Sequence, residues 1–464
     1  MVMVRYAFRS VICAAMVLLL LLVLVALPPE SEVPARSADA PVPNILVILT
    51  DDQTVQELNG KAMPYVSSQP EGHWVRFPNS FVNTPLCCPA RATILSGQYA
   101  HHTGVQNNHQ GNRFDDSATV ATWLDAAGYE TALVGKYLNS YPFNRGETYI
   151  PPAWDFWAAF KSTAGYYDYT LNDNGTLVSY GSKGSDYSTD VLRDKALTFM
   201  RGAAKPFFLY FAPYAAHEPV IPAPKYASKF AGLEMPRSPN FNEADVSDKP
   251  EWISSKPLLT ERQQQNNDED RRDQYRTLRS VDDATKAFFA ELSSQGILDE
   301  TVVIFMSDNG HTLGEHRTHV KPCEYEECQA VPLRIRDPLV AAGKVSQLVS
   351  NVDIASTLTD LAGTSPTIAQ DGSSLLPLLR GTATSWRTGV LLEWLGETVE
   401  GKESAAPPYW GIRTSRYKYV ELDTGEKELY DLSVDPYELQ NVAGDASYAA
   451  VQDDLAARLE NLKQ

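Results

Sequence analysis

The most distinctive chemical feature of the sequence is a pair of adjacent cysteines, Cys87 and Cys88, which opens the pentapeptide Cys-Cys-Pro-Ala-Arg. Pro89 has no N–H to leave unsatisfied in a first helical turn, and Gly97 follows the apolar spacing, so a short helix is predicted here. The positive end of a helix stabilises a thiolate or another anion. Position alone makes Cys87 a candidate nucleophile, with a buried structural cysteine as the alternative.

Two pairs of polar residues, each directly after a predicted strand, provide a set of hard oxygen ligands. Asp51 and Asp52 follow the first strand, and Asp308 and Asn309 follow a later one. Carboxylate and amide oxygens favour Ca²⁺ or Mg²⁺, whereas zinc would call for histidine or thiolate ligands. The two pairs together predict a divalent cation site.

Four further residues add positive charge or a proton donor. Lys136, His217 and Lys321 can contact an anion or donate a proton, and Arg91 carries a planar fork suited to tetrahedral oxyanions. A metal ion and cations beside a nucleophile indicate the transfer of an anionic group.

The elements that must position these residues are short apolar strands that alternate with amphipathic helices. This pattern is typical of an α/β fold with a largely parallel sheet. Strands are predicted over residues 45–50, 131–134, 207–212 and 301–307. Because ligands bind beyond the carboxyl ends of the strands in open α/β sheets, we expect the polar residues after these strands to converge on one rim.

Two helices and one long loop are predicted between these strands. The helices cover residues 117–127, with Ser117 as the N-cap, and roughly 268–294. Between residues 222 and 265 the composition is polar and rich in proline, with little periodicity. This composition predicts a surface loop or lid.

The pattern changes near residue 385 to alternating strands. These are predicted over residues 411–422 and 428–432, and a final helix follows over about 447–462. We therefore predict a catalytic domain over residues 41–385 and a smaller antiparallel subdomain with a helix over residues 386–464.

Charge excludes some classes of function. The 464 residues include 58 acidic and 40 basic side chains, which gives a net charge of −18. Such a charge argues against general affinity for nucleic acid or for an anionic membrane surface.

The N-terminus has the features of a secretory signal peptide over residues 1–40. Arg5 and Arg9 precede an apolar run at residues 11–27, and an A-x-A-like segment ends at Ala40. An uncleaved anchor is the alternative, because the run approaches the length of a membrane-spanning helix. We expect an extracytoplasmic protein without stable membrane association after cleavage.

The remaining cysteines are too few for a fold that depends on disulfides. Cys13 lies in the predicted signal peptide, which leaves Cys323 and Cys328 beside the adjacent pair. Their Cys-x4-Cys spacing allows a local bridge. A zinc knuckle is the weaker alternative, since it needs two more ligands.

Residues 87–97 resemble the signature of the sulfatase family, C-x-P-S/A-R followed by a Thr- or Ser-containing turn and L-S/T-G. The resemblance extends in family order over residues 49–53, 135–139, 215–217, 307–310, 313–317 and 428–432. It implies an alkaline-phosphatase-like fold with a large, mostly parallel sheet and a sulfuric ester hydrolase activity. It also implies that a formylglycine-generating enzyme converts Cys87 to Cα-formylglycine, while Cys88 is the variable position.

The resemblance assigns a role to each candidate residue. The aldehyde hydrate would attack sulfur with one hydroxyl and release the alcohol, and its second hydroxyl would then expel sulfate. Arg91 would orient the hydrate, Lys136 and Lys321 would grip sulfate, and His217 would protonate the leaving alcohol or contact sulfate. One Ca²⁺ would be held by the following residues: Asp51, Asp52, Asp308, Asn309 and the formylglycine from Cys87.

One departure from the family pattern indicates a branch. Arylsulfatases usually carry a histidine where this chain has Leu138. Residues 135–139, 150–152 and 166–170 and the double cysteine are instead similar to the N-acetylglucosamine-6-sulfatase branch, which includes extracellular heparan-type endosulfatases. A sulfated sugar is therefore the expected substrate, and His101 and His102 are candidate contacts to it.

Two other functions fit parts of the sequence. A phosphatase or phosphodiesterase of the same architecture would use serine or threonine as nucleophile and two zinc ions, but here Cys87 and Asn309 occupy the decisive positions. A non-catalytic carbohydrate-binding protein would keep Cys87 unmodified. Trp154, Trp157 and the tyrosines at 166–169 could stack on sugar rings, although core packing is an equal alternative.

Overall fold

The computed structural model describes residues 42–68, 74–204, 206–396 and 406–464. The predicted signal peptide, residues 1–40, lies outside the described residues. Within the described ranges, no helix combines the length and the apolar character that a membrane span requires.

The described strands form one large sheet and two smaller ones. In chain order they are β1 (Asn44–Thr50), β2 (Val75–Arg76), β3 (Ser80–Phe81), β4 (Glu130–Gly135), β5 (Phe156–Phe160), β6 (Thr170–Asp173), β7 (Thr176–Ser179), β8 (Phe207–Ala212), β9 (Thr301–Ser307), β10 (Leu333–Arg336), β11 (Gly343–Lys344), β12 (Val349–Ser350), β13 (Gly389–Trp394), β14 (Tyr409–Thr414), β15 (Tyr417–Leu422) and β16 (Lys427–Asp431). The ten-stranded sheet has the order β11-β2-β10-β9-β1-β8-β4-β5-β6-β7, and β3 pairs with β12.

The centre of the large sheet is parallel, as predicted. Strands β9, β1, β8, β4 and β5 run in one direction, with Leu46 beside both Val303 and Leu209. Strands β10 and β6 join antiparallel at the two sides. All four predicted strands are therefore present, and their carboxyl ends meet at one edge.

Helices cover both faces of this sheet. They are α1 (Pro64–Ser68), α2 (Cys87–Ser96), α3 (Ala100–Thr103), α4 (Val120–Ala126), α5 (Ser188–Gly202), α6 (Glu251–Ser254), α7 (Glu261–Ser294), α8 (Glu326–Gln329), α9 (Asp353–Ala362), α10 (Leu376–Leu379) and α11 (Ala449–Leu462). Val47 packs in a cluster with residues of α2, α4 and α9, whereas Leu46 packs in a second cluster with residues of α5 and α7. Successive side chains of a strand point to opposite faces, so a strand buried on both sides reads as a continuous apolar run.

Two predicted helices begin elsewhere than expected. Helix α7 begins at Glu261, about two turns early, because Thr260 caps it and Gln263 bonds back to the Thr260 N–H. The first turns of α7 are polar, so the hydrophobic periodicity that predicts a helix is absent there. Helix α4 begins after Thr119, since the hydroxyl of Ser117 donates to Asp115 instead of capping the helix.

The segment predicted as a surface loop or lid is mostly irregular but is packed against the protein. It contains α6, and both Trp252 and Ile253 are buried in a cluster with residues of the C-terminal sheet. The Nε1–H of Trp252 donates to Glu324 over 2.9 Å. These contacts hold this part of the segment in place.

The C-terminal part forms an antiparallel sheet of four strands in the order β13-β14-β15-β16, with α11 packed against it. This confirms the predicted architecture. The predicted strand 411–422 is two strands, because the Thr414 hydroxyl accepts the Tyr417 N–H in a tight turn. Strand β13 was missed, since all six of its residues are buried and none shows alternation. The boundary at residue 385 stays a prediction.

Candidate active site

Residues that are far apart in the sequence meet beyond the carboxyl ends of β1, β4, β8 and β9. The Sγ of Cys87 lies 3.4 Å from Oδ1 of Asp51 and 3.2 Å from Nζ of Lys321. Potential metal-ligating atoms of Asp51, Asp52, Cys87 and His217 lie within 4.8 Å of one another. The structure thus brings the predicted nucleophile, acidic residues and cations together at the expected rim.

The end of β1 places the two aspartates in different directions. The N–H of Asp51 donates to Ala215 O over 2.9 Å, which extends the pairing with β8. Asp52 then adopts a left-handed φ of 63°, and its N–H donates to Oδ1 of Asp308 over 3.1 Å. A non-glycine residue in this conformation is held by its surroundings, and such strain is common at functional sites.

Helix α2 presents Cys87 and Arg91 one turn apart. Cys87 is the first residue of the helix, where the sequence predicted it just before the helix. The Arg91 guanidinium is fully buried and donates from Nε to Asp308 over 2.7 Å and from Nη1 to Lys136 O over 2.8 Å. Arg91 Nη2 lies 3.5 Å from Asp51. The arginine therefore links α2 to the ends of three strands.

Two lysines neutralise the two aspartates. Lys136 Nζ lies 2.5 Å from Oδ2 of Asp51, and Lys321 Nζ lies 2.5 Å from both carboxylate oxygens of Asp52. Lys136 depends on Gly135, whose φ is 124° and where a Cβ would lie 2.0 Å from Ala212 O. Only glycine allows β4 to approach β8 so closely at this point.

The imidazole of His217 faces the aspartates through its Nε2 atom, because a hydrogen bond occupies Nδ1. Its Nδ1 contacts the carbonyl of Glu218 and must donate a hydrogen bond there, because a carbonyl only accepts. Its Nε2 lies 3.7 Å from Oδ2 of Asp52. Burial and Lys321 lower the pKa of His217, and Asp52 only partly offsets them.

Asp308 and Asn309 lie beside this group, and both are bonded to Asp52. Asn309 Nδ2 donates to Asp52 over 2.7 Å, and Asn309 Oδ1 is buried with no hydrogen-bond partner in the described part of the protein. A buried amide oxygen without a partner is costly and calls for a ligand. The residues present therefore fit a hard divalent cation.

Burial and charge set the ionisation of these groups. Burial raises the pKa of Asp51, but Lys136, His217 and Arg91 outweigh it and hold that pKa below its usual range. Burial and the Asp51 carboxylate raise the pKa of Asp308 to about 6. Aspartates 51 and 308 therefore differ in their affinity for a proton.

The Cys87 thiol is protonated at neutral pH. Burial raises its pKa to about 12, although Lys136 and Lys321 act in the opposite direction. The expected stabilisation of a thiolate at the helix end is therefore overridden by burial. An unmodified Cys87 is a weak nucleophile in this position.

Comparison with known proteins decides the family. The sulfatase family model matches residues 43–364, and a second model, the C-terminal region of N-sulphoglucosamine sulphohydrolase, matches residues 314–464. The chain belongs to the sulfatase family. It is a sulfuric ester hydrolase, as the sequence predicted.

Relatives and solved structures agree with this family. This sulfatase is 33% identical over 450 residues to N-acetylglucosamine-6-sulfatase of Homo sapiens, covering 86% of this chain and 81% of that protein. A solved structure in complex with its substrate D-glucosamine-2-N,6-O-disulfate matches with a TM-score of 0.77 and 26% identity, over 90% of this chain and 97% of that one. A phosphonate monoester hydrolase of Agrobacterium radiobacter shares the fold, with a TM-score of 0.70 and 23% identity over 91% and 95% of the two chains.

Several residues singled out in the sequence have partners outside the proposed catalytic set of the sulfatase. His101 pairs with Glu393 over 2.7 Å, and His102 pairs with Asp371 over 2.8 Å. Trp157 is fully buried in the core. The two histidines thus bind carboxylates near the C-terminal sheet, and the tryptophan packs in the core of the protein.

Leu138 and Cys88 belong to the same apolar cluster on one face of the sheet. Leu138 therefore takes no part in the polar rim. The two adjacent cysteines separate, one facing the carboxylates and the other facing the core. Cys323 and Cys328 form a disulfide, which decides the alternative that the sequence left open.

Sequence reasoning missed His311. Its Nδ1 lies 3.1 Å from the backbone oxygen of Asp52, and its Nε2 contacts Gln274. Burial lowers its pKa to about 4, so the imidazole is neutral and braces the strained Asp52. Its position two residues after Asn309 was the available signal.

Proposed function

We propose that this sulfatase hydrolyses sulfate esters of a sulfated sugar, in the manner of an N-acetylglucosamine-6-sulfatase. The observation that carries the proposal is the placement of Cys87 at the start of α2, facing Asp51, Asp52 and Lys321. The identity of 33% to the human N-acetylglucosamine-6-sulfatase supports a 6-O-sulfated glucosamine as the first substrate to test.

Cys87 is the proposed site of conversion to Cα-formylglycine by a formylglycine-generating enzyme during maturation. The hydrated aldehyde would supply a nucleophilic hydroxyl and a second hydroxyl for the release of sulfate. Its surroundings suit this role, because the side chain is fully buried and lies within hydrogen-bonding reach of Asp51 and Lys321. Arg91 holds the rim around it through Asp308 and the Lys136 carbonyl.

The proposed cation is one Ca²⁺, held by residue 87 together with Asp51, Asp52, Asp308 and Asn309. A bound Ca²⁺ would lower the pKa of a coordinated hydroxyl and take negative charge from the sulfate oxygens. The Oδ1 of Asn309 has no hydrogen-bond partner among the described residues, which supports its inclusion in the ligand set. These oxygen ligands favour a hard cation over zinc.

Lys136 and Lys321 are proposed to bind the sulfate group. Neighbouring carboxylates raise the pKa of both ammonium groups despite burial, so both remain charged across the neutral range. Their rigid anchoring on Asp51 and Asp52 fixes their positions before substrate binds. Fixed charges cost little reorganisation as charge develops in the transition state.

His217 is proposed to act on the oxygen of the leaving alcohol. Because its Nδ1–H is bonded to the Glu218 carbonyl, only Nε2 is left to face the substrate. A neutral His217 offers a lone pair there and must first take up a proton before it can donate one. A pH–rate profile of the variant His217→Gln tests this role.

Export to an extracytoplasmic compartment is proposed from the N-terminal sequence. Residues 1–40 combine a basic start, an apolar run and an A-x-A-like end. N-terminal sequencing of the protein recovered from the source cells tests cleavage. A mature chain that begins before residue 11 would exclude a cleaved signal peptide.

The experiment for the activity measures the release of inorganic sulfate from a panel of substrates. The panel contains 6-O-, 2-O- and N-sulfated glucosamines, an aryl sulfate and a phosphate monoester. We expect the highest kcat/KM on a 6-O-sulfated sugar. Phosphate release at a comparable rate would favour the phosphatase alternative.

Peptide mass spectrometry tests the proposed nucleophile separately. Conversion of Cys87 to formylglycine lowers the mass of a peptide spanning residues 84–91 by about 18 Da. A peptide with only intact cysteine, together with the absence of sulfate release, would support the non-catalytic carbohydrate-binding alternative.

A further inference from the structure

Three cationic side chains stand in a row across one side of the large sheet, on β10, β2 and β11. In the strand register Arg334 lies opposite Arg76, and Arg76 lies opposite Lys344. Residues directly opposite each other on paired strands point to the same face, with Cβ atoms roughly 5 Å apart. We call Arg76, Arg334 and Lys344 the cationic row.

The cationic row has no acidic counterpart among the described residues. Arg334 donates to the carbonyls of Val66 and Ser67, and burial together with Arg76 lowers its pKa to about 10. Neither Arg76 nor Lys344 is ion-paired with a carboxylate in the described ranges. Like charges opposite one another destabilise a sheet. In a chain of net charge −18, a row of cations without an acidic partner among the described residues is unexpected and indicates an anionic ligand.

The cationic row borders a hollow that could hold such a ligand. The hollow has a volume of about 320 Å³, and its lining includes the apolar residues Val55, which is exposed, and Leu58, which is partly buried. Small-ligand pockets measure about 300 to 1,000 Å³, so this hollow suits a group of sugar size. Apolar surface beside cations matches a sugar ring that carries a sulfate, because the ring offers C–H surface and the sulfate accepts charged hydrogen bonds.

Residues that line the hollow lie next to residues of the catalytic rim, either in the sequence or across paired strands. Leu333 pairs with Met306 of β9, two residues before Asp308. Val55, which also lines the hollow, lies three residues after Asp52. The strands that carry the proposed metal ligands therefore also support the hollow.

We propose that the cationic row is a second anion site, which binds a sulfate group of a sulfated saccharide other than the sulfate that is hydrolysed. The assignment of the ligand as a saccharide rests on the proposed function. Its assignment as an anion rests on the three cations of the row. The site would favour saccharides with more than one sulfate group.

Calorimetric titration of a sulfated glucosamine oligosaccharide into the full chain tests this proposal. The chain carries Cys87→Ala so that the oligosaccharide is not consumed. We compare the double variant Arg76→Glu/Lys344→Glu with a matched control, Arg262→Glu/Lys286→Glu, which changes the same charge at exposed positions of α7. We expect at least tenfold weaker binding in the row variant, no change in the control, and a smaller difference at high salt.

Equal affinities of the row variant and the control would overturn the proposal. Inorganic sulfate is titrated in parallel, and binding as tight as that of the oligosaccharide would overturn the assignment to a saccharide. If the glutamate variant does not fold, Arg76→Gln/Lys344→Gln replaces it. That variant removes like-charge repulsion, so we expect its midpoint of thermal unfolding to equal or exceed that of the parent.

Activity separates this proposal from the proposed function. With Cys87 restored, the row variant should release sulfate from a monosulfated monosaccharide at the parental rate. If the parent releases no sulfate from any sugar, the proposed function fails. If the parent is active but its oligosaccharide binding is insensitive to the row, only the second site fails.

Discussion

The Nε of Arg91 donates to Oδ2 of Asp308 over 2.7 Å, and both side chains are fully buried. This pair joins α2 to the end of β9 and sets Cys87 against the rim. Breaking a buried pair on one side leaves an uncompensated charge, which costs about 3 to 5 kcal/mol.

Arg91→Lys should therefore lower both stability and activity. Lysine keeps the charge but cannot contact Asp308 and the Lys136 carbonyl together. We expect a fall of about 2 kcal/mol or more in the free energy of unfolding by urea, since this change removes the bonds but keeps the charge. The control Arg416→Lys alters an arginine whose side chain is 55% exposed, where a much smaller loss of stability is expected. Equal effects at the two sites would contradict the structural role of Arg91.

The two cysteines should respond differently to substitution. Cys87→Ala removes the proposed nucleophile and should reduce sulfate release to background. Cys88→Ala leaves the catalytic groups in place and removes only a small buried side chain, so activity should remain with a modest loss of stability. Sulfate release by purified variants of verified fold checks both. Retained activity in Cys87→Ala and loss in Cys88→Ala would reverse the assignment.

Removal of the metal should slow turnover. The proposed ligands form a buried set in which Asn309 Oδ1 has no other partner in the described residues. We expect sulfate release to fall after chelation and to return when Ca²⁺ is added. Elemental analysis of the chelated protein verifies removal. Unchanged activity in metal-free protein would refute the cation role.

Stability should fall as pH rises from about 4.5 to about 8, because three buried glutamates have raised pKa values. Burial raises the pKa of Glu57 and Glu243 to about 7 and, together with Glu315 and Glu438, raises the pKa of Glu327 to about 8. A carboxyl group whose pKa is raised by folding favours the folded state fully below about pH 4.5 and loses that contribution as pH passes its folded pKa. Urea unfolding should therefore show a free energy that decreases between about pH 5 and pH 8 and changes little above that range.

Glu327→Gln tests the origin of this pH dependence. Glutamine resembles the neutral acid and does not ionise, so the slope of unfolding free energy against pH should be smaller in the variant. Glu460→Gln, at a side chain that is 64% exposed, is the matched control and should keep the parental slope. A slope that is the same in all three proteins would show that Glu327 does not contribute.

Much of the fold could be predicted because its signals are local. The four central strands are continuous apolar runs, and each is followed within a few residues by a polar member of the rim. The features that were not predicted lack the hydrophobic periodicity on which such predictions depend. Strand β13 is buried on both sides and shows no alternation, and the cap at Thr260 precedes several polar turns of α7.

The candidate site likewise has some features that the sequence predicts and others that depend on the tertiary structure. Its members could be identified by residue type and by the resemblance to a family, but their pairings could not. Which lysine neutralises which aspartate depends on contacts between residues 85 and 269 positions apart in the sequence. The pKa of Cys87 likewise depends on burial, which outweighs the local effect of the helix end.

By itself, the sequence determined the family, the parallel sheet and the identity of the rim residues, because strand periodicity and short motifs are local properties. Only the tertiary structure decided that Cys88 faces the core, that His311 braces Asp52, and that three cations stand opposite one another on neighbouring strands. These relationships depend on strand register and desolvation. Both arise only when distant segments pack together.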